Sequence, residues 1–153
     1  WDRHPDPDAL TAVQGRAAAS IDEVFAQSDV VSLHLALNDG TQGIIGAAQL
    51  DRIRPGSMLV NTCRGAVIDT AAVAEALRSG HLKGAGLDVF EQEPLPEDSP
   101  LLECPSAVLT PHASWYSEES YSEVKRRATE AIADVIHGKR PRDIANPEVL
   151  RPA

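Results

Sequence analysis

At 153 residues, 42% of them hydrophobic and 24% charged, the chain has the composition of one folded domain in water with a core of its own. A formal net charge of -9 and a pI near 4.9 argue against nucleic acid or an anionic membrane as the main partner, because either would repel an acidic surface. Cys63 and Cys104 stand far apart, with no CxxC or Cys/His spacing, so no metal site is expected and a reducing cytoplasm is the expected setting; no signal peptide or long apolar run points to export or the membrane.

Trp1-Asp2-Arg3-His4-Pro5-Asp6-Pro7-Asp8 reads as the end of a strand whose beginning is absent, followed by a proline-broken loop. Residues 16–19 are a weak strand candidate. Ser20-Ile21-Asp22-Glu23 has the pattern of a capping box and starts a short helix to about Gln27, with Ile21, Val24 and Phe25 on one face. Residues 30–35 are near-continuously apolar, as strands buried inside parallel sheets are. Over residues 41–53, Ile44, Ile45, Ala48 and Ile53 recur at roughly helical spacing, and Pro55-Gly56 closes the segment. A strand over residues 58–61 leads to a helix capped by Asp69, which carries Val73, Ala76 and Leu77 and stops at Gly80. Residues 85–90 read as another strand, followed by a loop with Pro94, Pro96 and Pro100 and a strand over residues 107–110. The last helix spans about residues 117–137, with Tyr121, Val124, Ala128, Ala131, Ile132 and Val135 as its expected buried side and Gly138 as its stop.

Strands alternating with helices at this spacing predict an α/β fold, a doubly wound parallel sheet with right-handed crossovers. Its strand ends carry His34, the run from Asn61 to Arg64, Asp88 and His112 to one edge, where open α/β sheets bind ligands. Arg64 stands where a small anion would be held, and its planar guanidinium can grip a carboxylate with two parallel hydrogen bonds. On that segment alone, an anion clamp and a surface arginine paired with a loop acid are equally open.

Three ordered motifs carry the reading further: Asn61-Thr62-Cys63-Arg64-Gly65, the run from Gly84 through Asp88 to Glu93-Pro94, and Leu109-Thr110-Pro111-His112. Together they resemble the D-isomer-specific 2-hydroxyacid dehydrogenases over nearly the whole chain. Pro111-His112-Ala113-Ser114-Trp115-Tyr116-Ser117-Glu118 resembles the C-terminal-binding-protein branch, which holds NAD-linked dehydrogenases by fold and, in animals, transcriptional corepressors. The resemblance implies a Rossmann-like domain with NAD as cofactor and a small 2-oxo or 2-hydroxy acid as substrate. In it Arg64 clamps the substrate carboxylate, His112 is the general acid, and Glu93 pairs with the imidazole, stabilising its charged form and fixing its orientation. Without the motifs, Glu93 would read as a solvated loop acid and His112 as a turn residue. Trp115 is implied as a substrate-pocket wall, beside the reading of an ordinary core tryptophan. For the cofactor, Asp2 is implied at the adenosine ribose, His34, Leu35 and Ala36 along the adenosine, and Thr41 at the following helix start. Thr62 and Cys63 would lie by the nicotinamide ribose, next to Arg64 and His112, and Asp88 at the carboxamide. Cys63 is read as a backbone contact and not as a nucleophile; His4, His81 and His137 are read as surface residues.

The departure from the family is as informative. No G-x-G-x-x-G occurs, and Gly40, Gly43 and Gly46 fall in an expected helix. Residues 1–140 are therefore expected to be a partial NAD-binding domain, incomplete at its N-terminal side because the first strand and glycine loop are missing. Residues 141–153 are expected to be a tail that returns to a missing substrate domain. The strand at Val30 should then be an unprotected edge, and the chain by itself should bind NAD weakly and reduce nothing. The full-length protein is expected to be a homodimeric enzyme; an NAD-sensing corepressor-like scaffold with residual activity is the alternative.

Overall fold

Four strands, β1 (Val30–Leu33), β2 (Ser57–Asn61), β3 (Leu82–Leu87) and β4 (Ala107–Leu109), lie parallel in the order β1-β2-β3-β4. The computed structural model describes residues 1–150, Val149 and Leu150 by backbone alone, so the last three residues of the expected tail lie outside the described residues. The chain divides into two units, Trp1–Ser114 with the sheet and Trp115–Ala153.

The first unit also holds α1 (Pro7–Ala12), α2 (Ile21–Gln27), α3 (Ala47–Leu50) and α4 (Thr70–Arg78). Because spatial order equals chain order, right-handed crossovers put every connection on the same side of the sheet. There α2, α3, α4 and the 3₁₀ turn Pro100–Glu103 neighbour one another in sequence. Phe25, Leu50, Ile53, Val73, Leu77 and Leu101 of that layer are buried with Val31, Leu33, Leu59, Ala85 and Leu87 of the strands.

The opposite strand face carries Val30, Met58 and Val108, all exposed. The near-continuous apolar run at Val30 thus alternates exposed and buried instead of being buried on both faces, because the helices of the first unit lie on one face of its sheet. Within the sheet β1 has β2 as its neighbour on one side and lies at the edge, as expected.

Six local expectations are corrected. Residues 16–19 form no strand: no strand lies beside them, and Arg16 bonds Glu23 and Gln27 instead. The loop at the prolines contains α1, because Asp6 accepts from the backbone N–H groups of Asp8 and Ala9 and Pro7 occupies the first helical position. Trp1-Asp2 joins no strand. Residues 41–53 hold only the short α3. Gly43 is left-handed at φ 61°, Gly46 is an extended N-cap, and Ile45 pairs with Ile68 as an isolated parallel bridge, which a helix could not do. β3 lies earlier than residues 85–90, since its pairing with β2 ends where Asn61 faces Leu87, with a last bond from the Asp88 N–H to the Asn61 carbonyl. Gly84 and Gly86 hid the early start, although buried Leu82 beside exposed Lys83 carried a strand signal. His81 is half-buried, with Nε2 3.1 Å from the Leu50 carbonyl, and not a free surface residue.

The helix and cap predictions hold where chemistry is local. Ser20 accepts from the Glu23 N–H, Asp69 from the Ala72 N–H, and Gly80 takes φ 73°. In the second unit, α5 (Glu118–Ile136) is capped by Ser117. Its apolar stripe is not buried: Ile132 and Val135 are each 63% exposed. The unit has no second α-helix among the described residues to cover that stripe, and a periodic pattern specifies a face without supplying its partner. Among the described residues, no helix is long and apolar enough to cross a membrane.

Candidate active site

Register brings the four strands to a common end, with Leu33 facing Asn61, Asn61 facing Leu87 and Leu87 facing Leu109. The residues that follow each strand, His34, Thr62 to Arg64, Asp88 and Thr110 to His112, therefore gather along one edge. That row is what the sequence predicted.

Arg64 sits on the turn that leaves β2. The fully buried Asn61 shapes this turn: its Nδ2 donates to the Arg64 carbonyl at 3.0 Å, and its Oδ1 accepts from the Cys63 N–H at 3.1 Å and Sγ at 3.0 Å. The Arg64 guanidinium donates from Nη1 to the Cys63 carbonyl at 2.7 Å, and among the described residues no carboxylate lies within ion-pair distance of it. The reading of a surface arginine paired with a loop acid is thereby set aside. Cys63 spends its thiol on Asn61, in keeping with its reading as no nucleophile.

Behind Arg64 the chain passes under the loop after β3. A Cβ on Gly65 would stand 1.8 Å from the Phe90 carbonyl carbon, 2.0 Å from its oxygen and 2.4 Å from the Glu91 nitrogen. Glu91 Oε1 also accepts from the Thr70 N–H at the start of α4, at 2.9 Å. This contact sets the Arg64 turn against the loop carrying Glu93.

His112 follows β4 with φ 53°, a left-handed conformation unusual for a residue with a side chain. Its Nδ1 lies 2.8 Å from Glu93 Oε2, and Glu93 Oε1 accepts from the Phe90 N–H at 3.0 Å. The hydrogen bond from His112, and next that from Phe90, hold the Glu93 carboxyl below its ordinary pKa. Against an ionised carboxylate, Nδ1 is the donor. The bond is therefore complete in neutral solution and is lost as pH falls through the lowered Glu93 pKa. His112→Ala removes the largest cause, so the Glu93 titration followed by carboxyl carbon NMR should move up toward 4.5, the ordinary glutamate value. An unmoved titration would show that the two side chains are not paired in solution.

Beside the pair lies a cavity of about 540 Å³, lined in part by Phe90, Pro94, Leu95, Leu109 and His112. Asp88 is 3% exposed and accepts from Thr110 Oγ1 at 2.6 Å and the Ala113 N–H at 2.8 Å on one oxygen, and from the Ser114 N–H at 2.9 Å on the other. Burial opposes its charge, but these donors outweigh burial and keep its pKa well below the carboxylate range.

At the β1 end, Trp1, Asp2, His34 and Leu35 line a second cavity of about 260 Å³ with Phe25 and Ile45 at its wall. Asp2 Oδ1 accepts from the His4 N–H at 2.7 Å, and His34 Nε2 lies 2.9 Å from Ser32 Oγ. Thr41 is buried in a turn, not at a helix start: its hydroxyl donates to the Ala36 carbonyl at 2.6 Å and so closes residues 36–41. Thr62 is exposed on the Arg64 turn. Trp115 belongs to the second unit, where its ring meets Tyr116 edge-on at 5.7 Å; at 55% exposure it is not a core tryptophan. Asn61 and Thr110, which bond within the Arg64 and His112 turns, are not among the site residues named from the sequence, although each is a polar side chain closing an apolar strand segment.

Residues 1–114 match the family model of the D-isomer-specific 2-hydroxyacid dehydrogenase NAD-binding domain. The chain is 42% identical over 131 residues to a glyoxylate reductase of Korarchaeum cryptofilum, covering 86% of this chain and 40% of that protein. Among solved structures it resembles Rhodotorula graminis D-mandelate dehydrogenase at 33% identity and TM-score 0.83, over 93% of this chain and 42% of the other. It also resembles Lactobacillus jensenii D-lactate dehydrogenase with NAD⁺ at 26% identity and TM-score 0.85, over 94% and 46%. The chain spans about two fifths of the length of the curated relatives it matches.

Proposed function

Because the chain belongs to the D-isomer-specific 2-hydroxyacid dehydrogenase family, we propose that it is the catalytic and NAD-binding part of an enzyme that interconverts a 2-oxo acid and a D-2-hydroxy acid. The observation that carries this reading is the His112–Glu93 pair at one strand end, with Arg64, which has no carboxylate partner among the described residues, two strands away on the same edge.

The cofactor site fits as far as this chain carries it. The apolar slot at the end of β1, with Asp2 and His34 at its rim, suits an adenosine, and a carboxylate at Asp2 favours ribose hydroxyls over a 2'-phosphate. Thr62, Cys63 and Arg64 would line the nicotinamide end. When bound, the nicotinamide supplies a hydride.

The protein's own groups do the rest. Arg64 binds the substrate carboxylate and draws charge from the adjacent carbonyl. Glu93 fixes the His112 ring through Nδ1, so that Nε2 is the nitrogen that gives a proton to the carbonyl oxygen, or takes it back in oxidation. The apolar cavity beside the ring favours substrates with an apolar side chain.

We place the division between the NAD-binding part and the returning tail at residues 140–141, and take the whole protein to be a cytoplasmic homodimer that binds no nucleic acid directly. The net charge of -9 supports the last point. The isolated chain, lacking the glycine turn, would be inactive. The corepressor-like scaffold stands as the second reading on the resemblance of residues 111–118.

In the full-length protein, NADH should support reduction of 2-oxo acids far better than NADPH, and Asp2→Ala should narrow that gap. Steady-state kinetics with both cofactors over a panel of 2-oxo acids decides it: no turnover with any of them would end the enzyme reading, and equal efficiency with both cofactors would remove Asp2 from the ribose.

A further inference from the structure

Two buried polar side chains stand directly beneath the residues assigned to chemistry. Asn61, fully buried at the end of β2, bonds the Cys63 N–H and the Arg64 carbonyl and so wraps the Arg64 turn. Asp88, 3% exposed just past the end of β3, bonds Thr110 before His112 and Ala113 and Ser114 after it, and so wraps the His112 turn. The Asp88 N–H donates to the Asn61 carbonyl at 3.0 Å, which joins the two into one continuous chain of bonds.

We propose that Asn61 and Asp88 form a positioning frame that holds Arg64 and His112 in their mutual arrangement, Asp88 acting by enforcing the left-handed backbone of His112. That they position catalytic groups rests on the proposed dehydrogenase function; that they hold these two turns does not.

The physical argument is one of compensation. A residue with a side chain at φ 53° is strained and persists only where its surroundings over-determine it. Three hydrogen bonds to one carboxylate, bracketing His112 on both sides, do so. Hydrogen bonds to an ionised acceptor are roughly twice as strong as neutral ones, which suits a carboxylate here better than an amide. The carboxylate is thus committed to the chain's own donors before any ligand arrives. Its contribution to the reaction is to place the imidazole, through the backbone, while Glu93 orients the ring.

NMR on the labelled 153-residue chain tests the frame without any need for turnover. In the wild type, His112 should give the strong intraresidue amide–Hα cross-peak of a positive φ, and the Ala113 and Ser114 amides should exchange slowly. Asp88→Ala should remove that cross-peak and speed exchange at both amides by about ten- to hundredfold, with core signals such as Leu59 and Val73 retained. Asp88→Asn, which keeps one acceptor oxygen, should fall between the two. Asn61→Ala should release the Cys63 amide while leaving the His112 turn in place.

If Asp88→Ala does not fold, Thr110→Val, which removes one bond at nearly constant volume, and Asp88→Asn carry the test. Unchanged His112 geometry and unchanged exchange in folded variants would overturn the frame, even with a lowered Tm, since that is the signature of a stabilising role alone. In the full-length enzyme, Asp88→Asn should lower kcat about ten- to hundredfold with little change in the KM for NADH; a raised KM with kcat intact would assign Asp88 to the cofactor instead. Absence of turnover in the wild-type enzyme would count against the dehydrogenase reading and leave the NMR result to stand or fall by itself.

Discussion

Replacing His112 by alanine in the full-length protein should, on the proposed dehydrogenase reading, lower kcat for 2-oxo acid reduction by about 10²- to 10⁴-fold, the usual cost of losing a positioned acid. Glu93 holds the imidazole at Nδ1 and Asp88 bonds bracket its backbone, so the alanine removes a group already placed for proton transfer. Arg64→Ala should be comparably damaging and should in addition raise the KM for the oxo acid, because carboxylate binding and carbonyl polarisation both pass through one guanidinium. Arg64→Lys should rescue little, since an ammonium cannot make two parallel bonds to a carboxylate. Glu93→Gln keeps an acceptor toward the ring and should chiefly narrow the useful pH range. Steady-state kinetics of the four variants separates these effects, and a His112→Ala enzyme that reduces every 2-oxo acid at near wild-type rates would end the assignment.

Gly65→Ala should be the most destabilising single methyl group in the first unit. The added carbon would overlap the backbone of Phe90 and Glu91 at 1.8 to 2.4 Å, and a peptide group cannot swing aside as a side-chain end can. Either the Arg64 turn or the loop carrying Glu93 must move by more than an ångström. Overpacking of this kind typically costs about 1–3 kcal/mol and occasionally more; contact with main chain on both neighbours argues for the upper end, or roughly 10 °C in Tm for a chain of this size. Gly80→Ala is the control: φ is 73° but nothing lies within 4 Å, so the cost should be near 1 kcal/mol. Thermal melts of the two variants in parallel are the measurement. Equal melting points would show that the turn and loop can part freely, and the close packing of the two halves of the site would have to be abandoned.

Much of this site was legible in one dimension because its determinants are local. Ser20, Asp69 and Gly80 bond or bend within a few residues of themselves, so caps and stops could be named from the sequence. The ends of β2 and β4 were legible because an apolar run gives way to polar residues at each, and the resemblance of three motifs to the dehydrogenase family pointed to Arg64, Glu93 and His112. Residues 41–53 depart from their apolar spacing because the left-handed Gly43 and the distant partner Ile68 make Ile45 extended, and neither is carried by local periodicity. Propensity and period report what a segment can do alone, and tertiary pairing overrides them when a buried neighbour offers better bonds.

What the sequence determined by itself was therefore most of the elements, many of their limits and the candidates Arg64, Glu93 and His112 for the reacting side chains. Tertiary structure decided which of those elements touch and at what distance. It set strand order equal to chain order, so that one sheet face carries the helices and the other stays open at Val30, Met58 and Val108. It gave Gly65 its meaning, since the clash arises with Phe90 and Glu91, 25 and 26 positions onward, and it surrounded Asp88 with donors from both sides of His112. The physical reason is common to all of these: a side chain announces its charge, volume and local backbone preference in its own identity, whereas the partner that satisfies it is chosen only when distant segments close on one another.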